Sequence, residues 1–441
     1  NNTDLGTALN SCNVTLQTTG GGDIAVNAPI VGWTHTTTLF IQSDGNVTWE
    51  SLAAGADFTT AKDGSLNIQA NGDITFAAQS GFSGAIVGFH TQSGNITLNA
   101  TGTISFSTGG IGDSSNQVGL MTEGGTLSMT AAALDIEAVG HNNTNLINIG
   151  FAYTIDDPFG IVINNSMNFD ISGDVSLNAE NATLLIGNLI NTDDIGTIAG
   201  PITFTNIGGS LLATSQTNFS ATSSQLQIGC TLENNLQFGP SALTGVDIAF
   251  DNVGADVILA IDGGNLQIGH TTVNPVYTVT ADITFDQVGG SFQMLDTGAA
   301  LSSPNFLQIG HTDSTNAPSV HGFTLHGDIA MGLLSPIQED LIISNENNNV
   351  FIGHTGVLQD DTVRGNITIN VAGGAPSISI SNGIGLLSLA GIGHIFPMTT
   401  ANLTNVNTIG PTTMNIQADH GISLTSTSSN LAYIGFYPYS T

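Results

Sequence analysis

The sequence has almost no positive charge. Among its 441 residues only Lys62 and Arg364 are basic, against 34 acidic residues, which gives a formal net charge of −32. Phosphate binding needs clustered lysine and arginine side chains, so this balance excludes nucleic acid as a partner. The acidic excess does not indicate disorder, because charged residues make up only 8% of the chain and apolar residues recur at regular spacings.

Long apolar runs and closely spaced cysteines are also missing. The longest apolar candidate, 385–398, is short and contains His394, so we predict no membrane span. Cys12 and Cys230 are the only cysteines, and several repeats separate them, so no intrachain disulfide is expected. Cys12 could form a bridge only between chains. An opening without Met and without a signal peptide fits a mature secreted chain or a shortened one.

Helical periodicity is absent as well. No stretch shows a convincing 3.6-residue repeat, and the 55 glycines weaken any helix. The segment 131–138 is a weak helical candidate, which we interpret as strand. Short runs of alternating apolar and polar residues, such as 12–16 and 73–76, recur instead between glycine and asparagine residues. This period of two predicts half-buried β-strands.

One short phrase returns at a nearly fixed interval. Leu-Gln-Ile-Gly-His-Thr occupies 266–271 and 307–312, and shortened forms occupy 351–355 and 392–394. An aliphatic residue followed by glycine also occurs at Gly32, Gly88, Gly119, Gly150, Gly187, Gly229 and Gly435. From Gly187 onward the intervals are 42, 40, 41, 43, 40 and 42 residues, whereas the earlier ones are 56, 31, 31 and 37. Such a period indicates stacked supersecondary units.

The repeat predicts an all-β fold, a parallel β-solenoid (β-helix) of about ten units of about 40 residues each. We expect one continuous solenoid over 1–441, with less regular coils in 1–150 and regular Ile-Gly repeats in 151–441. Each unit contains about three short strands separated by Gly or Asn corners. A β-propeller or a row of β-sandwiches fits the spacing less well. Whether a unit forms one wide coil or two narrow ones stays open.

The run at 64–76, Gly-Ser-Leu-Asn-Ile-Gln-Ala-Asn-Gly-Asp-Ile-Thr-Phe, resembles coils of filamentous-haemagglutinin and autotransporter-passenger β-helices. The resemblance is one of texture and extends over most of the chain. It implies a bacterial-type secreted or surface fibre, hence an extracellular or cell-surface location, and carries over no catalytic residues.

The repeated phrase supplies candidate ladder residues. These are Gly187, Gly229, Gly269, Gly310, Gly353, Gly393 and Gly435, together with His270, His311, His354 and His394. Cys230, Asn188, Phe151 and Phe436 take the histidine position in other repeats. Stacked imidazoles could bind a metal or respond to pH. Because the position accepts Phe, which is no metal ligand, we interpret the column as a hydrogen-bonded structural ladder. Gln227, Gln267 and Gln308 suggest a second ladder, of stacked amides.

Catalytic chemistry has little support. The acidic pairs are Asp156-Asp157, Asp193-Asp194, Glu339-Asp340 and Asp360-Asp361. They lie at differing offsets and show no common spacing for paired-carboxylate hydrolysis. Uronate lyase chemistry needs positive groups that this chain lacks. We predict no enzymatic activity, no catalytic residue and no cofactor; calcium on Asp-rich loops is an alternative.

Neither end of the chain shows a capping element in the sequence. Uncapped coils leave unpaired strand edges, which recruit partners. The residues expected to self-associate are Cys12, Asn13, Val14, Leu16, Tyr433, Ile434, Phe436, Tyr437 and Tyr439. The leading hypothesis is a filament subunit that polymerises head to tail. The alternatives are a monomeric adhesin that binds a host surface or glycan through loops such as 272–280 and 313–324, and a β-helix polysaccharide-degrading enzyme.

Overall fold

Three long parallel β-sheets wind around one core. In the computed structural model, each pass of the chain adds a strand to one sheet after another, and every pair of strands among the described residues is parallel. We call one such pass a rung. The structure describes residues 1–51, 58–78, 81, 83–110, 112–141, 144–153, 161–190, 195–217, 224–232, 242–272, 278–298, 305–313, 324–356, 362–383, 388–398, 408–409, 412–426, 431–435 and 437–440. The predicted parallel β-solenoid is confirmed, and the propeller and sandwich alternatives are excluded.

Sheets 1 and 2 each have twelve strands, one per rung. Sheet 1 contains β1 (Val14–Gln17), β3 (Thr38–Ser43), β6 (Ser65–Ala70), β9 (Ile96–Ala100), β12 (Thr126–Ala131), β16 (Ser166–Ile171), β20 (Ile202–Ile207), β25 (Ile248–Phe250), β30 (Ile283–Phe285), β35 (Ile329–Met331), β39 (Ile367–Val371) and β44 (Met414–Ala418). Sheet 2 contains β2 (Ile24–Val26), β4 (Val47–Ser51), β7 (Ile74–Ala78), β10 (Thr103–Ser107), β13 (Ala133–Val139), β17 (Val175–Glu180), β21 (Leu211–Gln216), β26 (Val257–Asp262), β31 (Phe292–Asp296), β36 (Leu341–Asn345), β40 (Ile378–Asn382) and β45 (Ile422–Ser426).

Sheet 3 carries the repeated Ile-Gly phrase, and sheet 4 is a shorter addition. Sheet 3 contains β5 (Thr59–Ala61), β8 (Ile86–Thr91), β11 (Gln117–Thr122), β14 (Leu146–Tyr153), β18 (Thr183–Ile190), β22 (Gln225–Ile228), β23 (Thr231–Leu232), β27 (Asn265–Ile268), β28 (Thr271–Thr272), β32 (Phe306–Ile309), β33 (Thr312–Asp313), β37 (Asn349–Ile352), β41 (Leu389–Ile392) and β46 (Leu431–Ile434). Sheet 4 contains β15 (Ile161–Asn164), β19 (Ile195–Ala199), β24 (Ala242–Thr244), β29 (Thr278–Thr280), β34 (Thr324–His326), β38 (Thr362–Arg364) and β43 (Thr408–Ile409). A separate pair joins β42 (Ile395–Met398) to β47 (Tyr437–Ser440).

Alternation along each strand builds the core. Successive side chains of a strand point to opposite faces, so every second residue enters the interior. Because neighbouring strands pair in register, residues of the same type stack on each other in successive rungs. One such column in sheet 1 consists of Phe169, Phe204, Phe250 and Phe285. Neighbouring rings in this column are stacked with centroids 4.5, 4.8 and 4.4 Å apart. All four side chains are fully buried.

A fourth strand per rung, which the sequence analysis did not predict, appears from residue 161 onward. Sheet 4 covers a second, smaller apolar cluster that includes Cys230, Leu243, Val279 and Leu325. Each rung from the fifth to the eleventh is therefore one wide coil with strands in four sheets around two cores, and not two narrow coils.

The expectation of an uncapped N-terminal end is wrong in part. An eight-residue helix, α1 (Asn2–Leu9), precedes β1, with the Asn1 side chain accepting a hydrogen bond from the backbone N–H of Asp4 at 2.9 Å. Leu9 is buried in the main core. Gly6 lies so close to the Val31 carbonyl that an added Cβ would be 1.9 Å from its oxygen. The helix thus covers the side of rung 1 beside sheet 3, while β1 and β2 are paired on one side only.

Candidate functional site

A column of glycines marks where each rung passes from the main core to the second core. From Gly187 to Gly435 the backbone φ angles of these glycines lie between 141° and 154°, a range that residues with a side chain rarely adopt. A Cβ at Gly310 would lie 1.9 Å from the carbonyl oxygen of Gly353 in the next rung. The repeated phrase therefore requires glycine for two reasons, the backbone angle and the close approach of neighbouring rungs.

The blurred period near the N-terminus has a structural cause. Gly88 pairs with Gly119, and Gly119 pairs with Asn148, whereas Gly150 pairs with Met121 and with Gly187. Gly88 and Gly119 thus stand two residues away from the column that begins at Gly150. The early glycines of similar appearance do not all belong to one ladder.

The four histidines that follow this glycine column form a buried stack. His270, His311, His354 and His394 have no exposed surface. Successive ring centroids are 4.8, 4.8 and 4.9 Å apart, with interplanar angles of 11° or less. The rung spacing of a sheet, about 4.8 Å, sets this distance.

Backbone partners fix the tautomer of each ring. The backbone N–H of Cys230, His270, His311 and His354 donates to Nδ1 of the histidine in the following rung at 2.9, 3.1, 3.0 and 3.1 Å. Nε2 lies 2.9, 2.8, 2.7 and 3.1 Å from the carbonyl oxygens of Val246, Ala281, Gly327 and Gly365. A carbonyl only accepts, so Nε2 carries the proton and Nδ1 carries none. Through these two hydrogen bonds each imidazole ring connects the end of a sheet 3 strand to the corner that follows a sheet 4 strand.

This environment favours neutral imidazole. Burial lowers the pKa of His270 to about 4 and, together with the neighbouring ring of His270, lowers the pKa of His311 to about 3. Burial and the adjacent rings also lower the pKa of His354 well below its usual value, and burial lowers that of His394. Protonation would place an N–H on Nδ1, opposite the backbone N–H that donates to it.

The glutamines that lie two residues before the glycines of the column form a second ladder. Gln267 Nε2 donates to the carbonyl oxygen of Gly310 at 2.9 Å, and its Oε1 accepts from Thr271 Oγ1 at 2.5 Å. Gln308 repeats both contacts with Gly353 and Thr312, at 2.8 and 2.5 Å. These amides are saturated by protein groups, so they hold rungs together and have little capacity left for a ligand.

Several acidic side chains of the described residues accept hydrogen bonds from the backbone of the next rung. Of the four acidic pairs, only Glu339-Asp340 lies within the described residues, and Asp340 Oδ1 accepts from the backbone N–H of Gly374 at 2.8 Å. Asp247, Asp282 and Asp328 each accept from the backbone N–H of the next rung, at 2.9, 2.8 and 2.7 Å. In the part of the chain that the structure describes, no three His, Cys, Asp or Glu side chains are grouped as metal ligands would be.

The residues expected to self-associate differ in accessibility. Val14 and Leu16 lie half-buried on β1, and Asn13 Oδ1 accepts from the backbone N–H of Thr38 at 2.9 Å. Cys12 is exposed and free, whereas Cys230 is buried and free.

At the other end, Tyr433 is buried in a small cluster with Phe351, Leu389 and Ile395, so its side chain packs within the stack. Ile434 packs on the main core. Phe436 and the side chains of Tyr437 and Tyr439 lie outside the described residues.

No family model, curated protein or solved structure matches the chain. Among the described residues no helix has the length and apolar character needed to cross a membrane.

Proposed function

We propose that this chain is a structural subunit of an extracellular filament or surface fibre, to which copies add head to tail. The observation that carries the proposal is the continuity of sheets 1 and 2. Both run through twelve parallel strands and finish, at each extremity of the described stack, in a strand paired on one side only. A sheet edge of this kind is a template for a further strand.

The rung formed by β44, β45 and β46 presents core positions to solvent. Ile422 and Leu424 are 44% and 50% exposed, although their partners in the preceding rung, Ile378 and Ile380, are fully buried. A second copy that places β2 on β45 would set Ile24 against Ile422 and Val26 against Leu424. Burying an aliphatic side chain completely contributes about 1.5–3 kcal/mol, so this contact has a favourable apolar term.

Helix α1 limits the contact to two of the three sides. Because it lies over rung 1 beside sheet 3, an added copy would continue sheets 1 and 2 but meet the helix where sheet 3 would follow. The joined ends are different surfaces, so the contact does not close on itself and gives a filament. The extracellular location rests on the resemblance to filamentous-haemagglutinin and autotransporter-passenger coils, and the proposal includes no catalytic step.

Paired cysteines test the register directly. In a Cys12→Ser background, Ala25→Cys combined with Ser423→Cys places the two thiols on in-register positions of β2 and β45. Adjacent strands hold their Cα atoms about 4.8 Å apart, within the range a disulfide accepts. The matched control combines Ser423→Cys with Thr15→Cys, which lies on β1 in the other sheet.

We expect the first pair to give a ladder of covalent oligomers on non-reducing gels after mild oxidation, and the control pair to stay monomeric. Electron microscopy of the unmodified chain should show filaments. Isolated rods together with monomers from both cysteine pairs would overturn the proposal in favour of a monomeric rod. Equal crosslinking of both pairs would show association without the predicted register.

A further inference from the structure

An open groove of about 430 Å³ lies on the outer side of sheet 1, across the first four rungs, where its strands turn toward sheet 2. Four amide side chains of one column line it: Gln17, Gln42, Gln69 and Asn99. They are in register from β1 through β3 and β6 to β9. The groove thus offers the same chemical group once per rung, about every 4.8 Å along the axis.

These amides have no hydrogen-bond partner within the described protein. The contrast with Gln267 and Gln308 is informative, because those buried amides are fully bonded to the next rung. Two residues before Gln69 on the same outer face, Asn67 also has a buried side-chain oxygen without a partner. The Asn67 oxygen has no exposed surface, so the amides of the groove lining, and not Asn67, are the groups available to a ligand.

An aromatic ring stands beside the amide column. Phe40 is half-buried and points outward, because Leu39 and Ile41 on either side of it are fully buried. It lies two residues before Gln42 and pairs with Asn67 in the next rung. An aromatic face next to groups that both donate and accept hydrogen bonds suits a sugar ring, which has an apolar C–H face and a rim of hydroxyls.

The charges select an uncharged ligand. Among the described residues of the groove lining, Asp44 is the one charged residue, and its Oδ2 already accepts from the backbone N–H of Gly20 at 2.7 Å. The chain as a whole carries −32 charges, which repel polyanions. The groove floor consists of paired strands, so an extended peptide cannot add to it by strand pairing, as it can at a free sheet edge.

We infer that this groove binds a neutral polysaccharide, with its chain lying along the solenoid axis. The amides of Gln42 and Gln69 bond hydroxyls of successive sugar units, and Phe40, which flanks the groove on the same strand as Gln42, packs against the C–H face of the unit bonded to Gln42. The inference concerns a sheet face in rungs 1 to 4, and it is independent of polymerisation through the end rungs.

Affinity gel electrophoresis tests this binding. The probes are dextran, galactomannan and hydroxyethylcellulose, with polygalacturonate as the anionic counterpart. The variant is Gln42→Ala with Gln69→Ala, and a second variant is Phe40→Leu. Gln417→Ala is the matched control, because Gln417 occupies the same column of sheet 1 at the opposite end, in β44, away from the groove.

We expect at least one neutral probe to retard the protein and polygalacturonate to leave its mobility unchanged. Loss of two amide hydrogen bonds should weaken binding by roughly thirtyfold. Phe40→Leu should also weaken it, and Gln417→Ala should not. The amides are on the surface, so circular dichroism of all variants should match the parent.

Retardation by none of the neutral probes would overturn the inference, as would parent-like affinity of the double variant or equal binding of polygalacturonate. Because isolated rods contain the whole groove, failure to form filaments leaves this test unaffected. Conversely, absence of glycan binding says nothing against the crosslinking result expected above.

Discussion

We expect the histidine stack to make the stability of this solenoid sensitive to acid. Lowering the pH from 8 to 5 should destabilise the fold, because burial lowers the pKa values of His270 and His311 from 6.5 to about 4 and about 3. The unfolded chain binds protons at these residues below pH 6.5, and the folded chain does not. The contribution of these two histidines to the free energy of unfolding is therefore fully present above pH 6.5. It is lost as the pH falls from 6.5 toward 4 for His270 and toward 3 for His311.

The magnitude follows from the interval between pH 6.5 and pH 5. At pH 5 an unfolded imidazole is protonated while His270 and His311 are still mostly neutral, which costs about 2 kcal/mol for each residue. The two together lower the free energy of unfolding by about 4 kcal/mol, and His354 and His394 shift in the same direction. A domain is typically stable by about 5–15 kcal/mol, so this loss is substantial.

Guanidinium denaturation at pH 5, 6, 7 and 8, followed by circular dichroism, measures the effect. The decisive variant is His311→Asn, since Asn188 occupies the same column in an earlier rung. The difference in unfolding free energy between pH 8 and pH 5 should shrink by about 2 kcal/mol in this variant. Burial raises the pKa of Asp282, which acts in the opposite direction, but that effect is common to both proteins.

Leu212→Ala, at an exposed position without a titratable group, provides the control and should leave the pH dependence unchanged. A parent protein whose denaturation midpoint is the same at pH 5 and pH 8 would refute the reasoning. So would an identical pH dependence in the parent and in His311→Asn.

Two further substitutions, each paired with a control substitution, test the packing. Gly310→Ala should lower the free energy of unfolding by more than about 3 kcal/mol, because the added Cβ meets the Gly353 oxygen at 1.9 Å in addition to the strained φ. Gly245→Ala has a positive φ but open space, so about 1 kcal/mol is expected. Phe250→Ala should cost about 3–5 kcal/mol in the stacked core, whereas Leu212→Ala, 41% exposed, should change stability by about 0.5 kcal/mol or less. Denaturant midpoints check all four, and Gly310→Ala or Phe250→Ala matching its control would contradict the packing described.

The fold was predictable where one residue type must recur. The Ile-Gly-His-Thr phrase returns because glycine alone tolerates the backbone angle and the close rung contact, and this requirement sets a period that the sequence displays. Sheet 4 has no comparable requirement. Its strands, such as Thr278–Thr280 and Thr324–His326, have three residues and lie at variable distances from the glycine, so no period reveals them.

Helix α1 and the amide groove were missed for a different reason. The N-cap residue Asn1 is a visible helix signal, but the helix has eight residues and contains Gly6, so contacts with Val31 and the core supply its stability. The amides of the groove repeat in register only across rungs of unequal length, from Gln17 to Gln42 to Gln69, and paired strands are needed to align them.

The addition of sheet 4 from the fifth rung onward has a mechanical consequence. Hydrogen bonds between rungs run along the axis, so traction on the two extremities peels coils apart one after another. Rungs five to eleven have strands in all four sheets, whereas rungs two to four have strands in three sheets and the first rung in two. Under load, rupture should therefore begin in the N-terminal rungs that lack sheet 4. The rungs that contain sheet 4 should remain folded after the N-terminal rungs have extended.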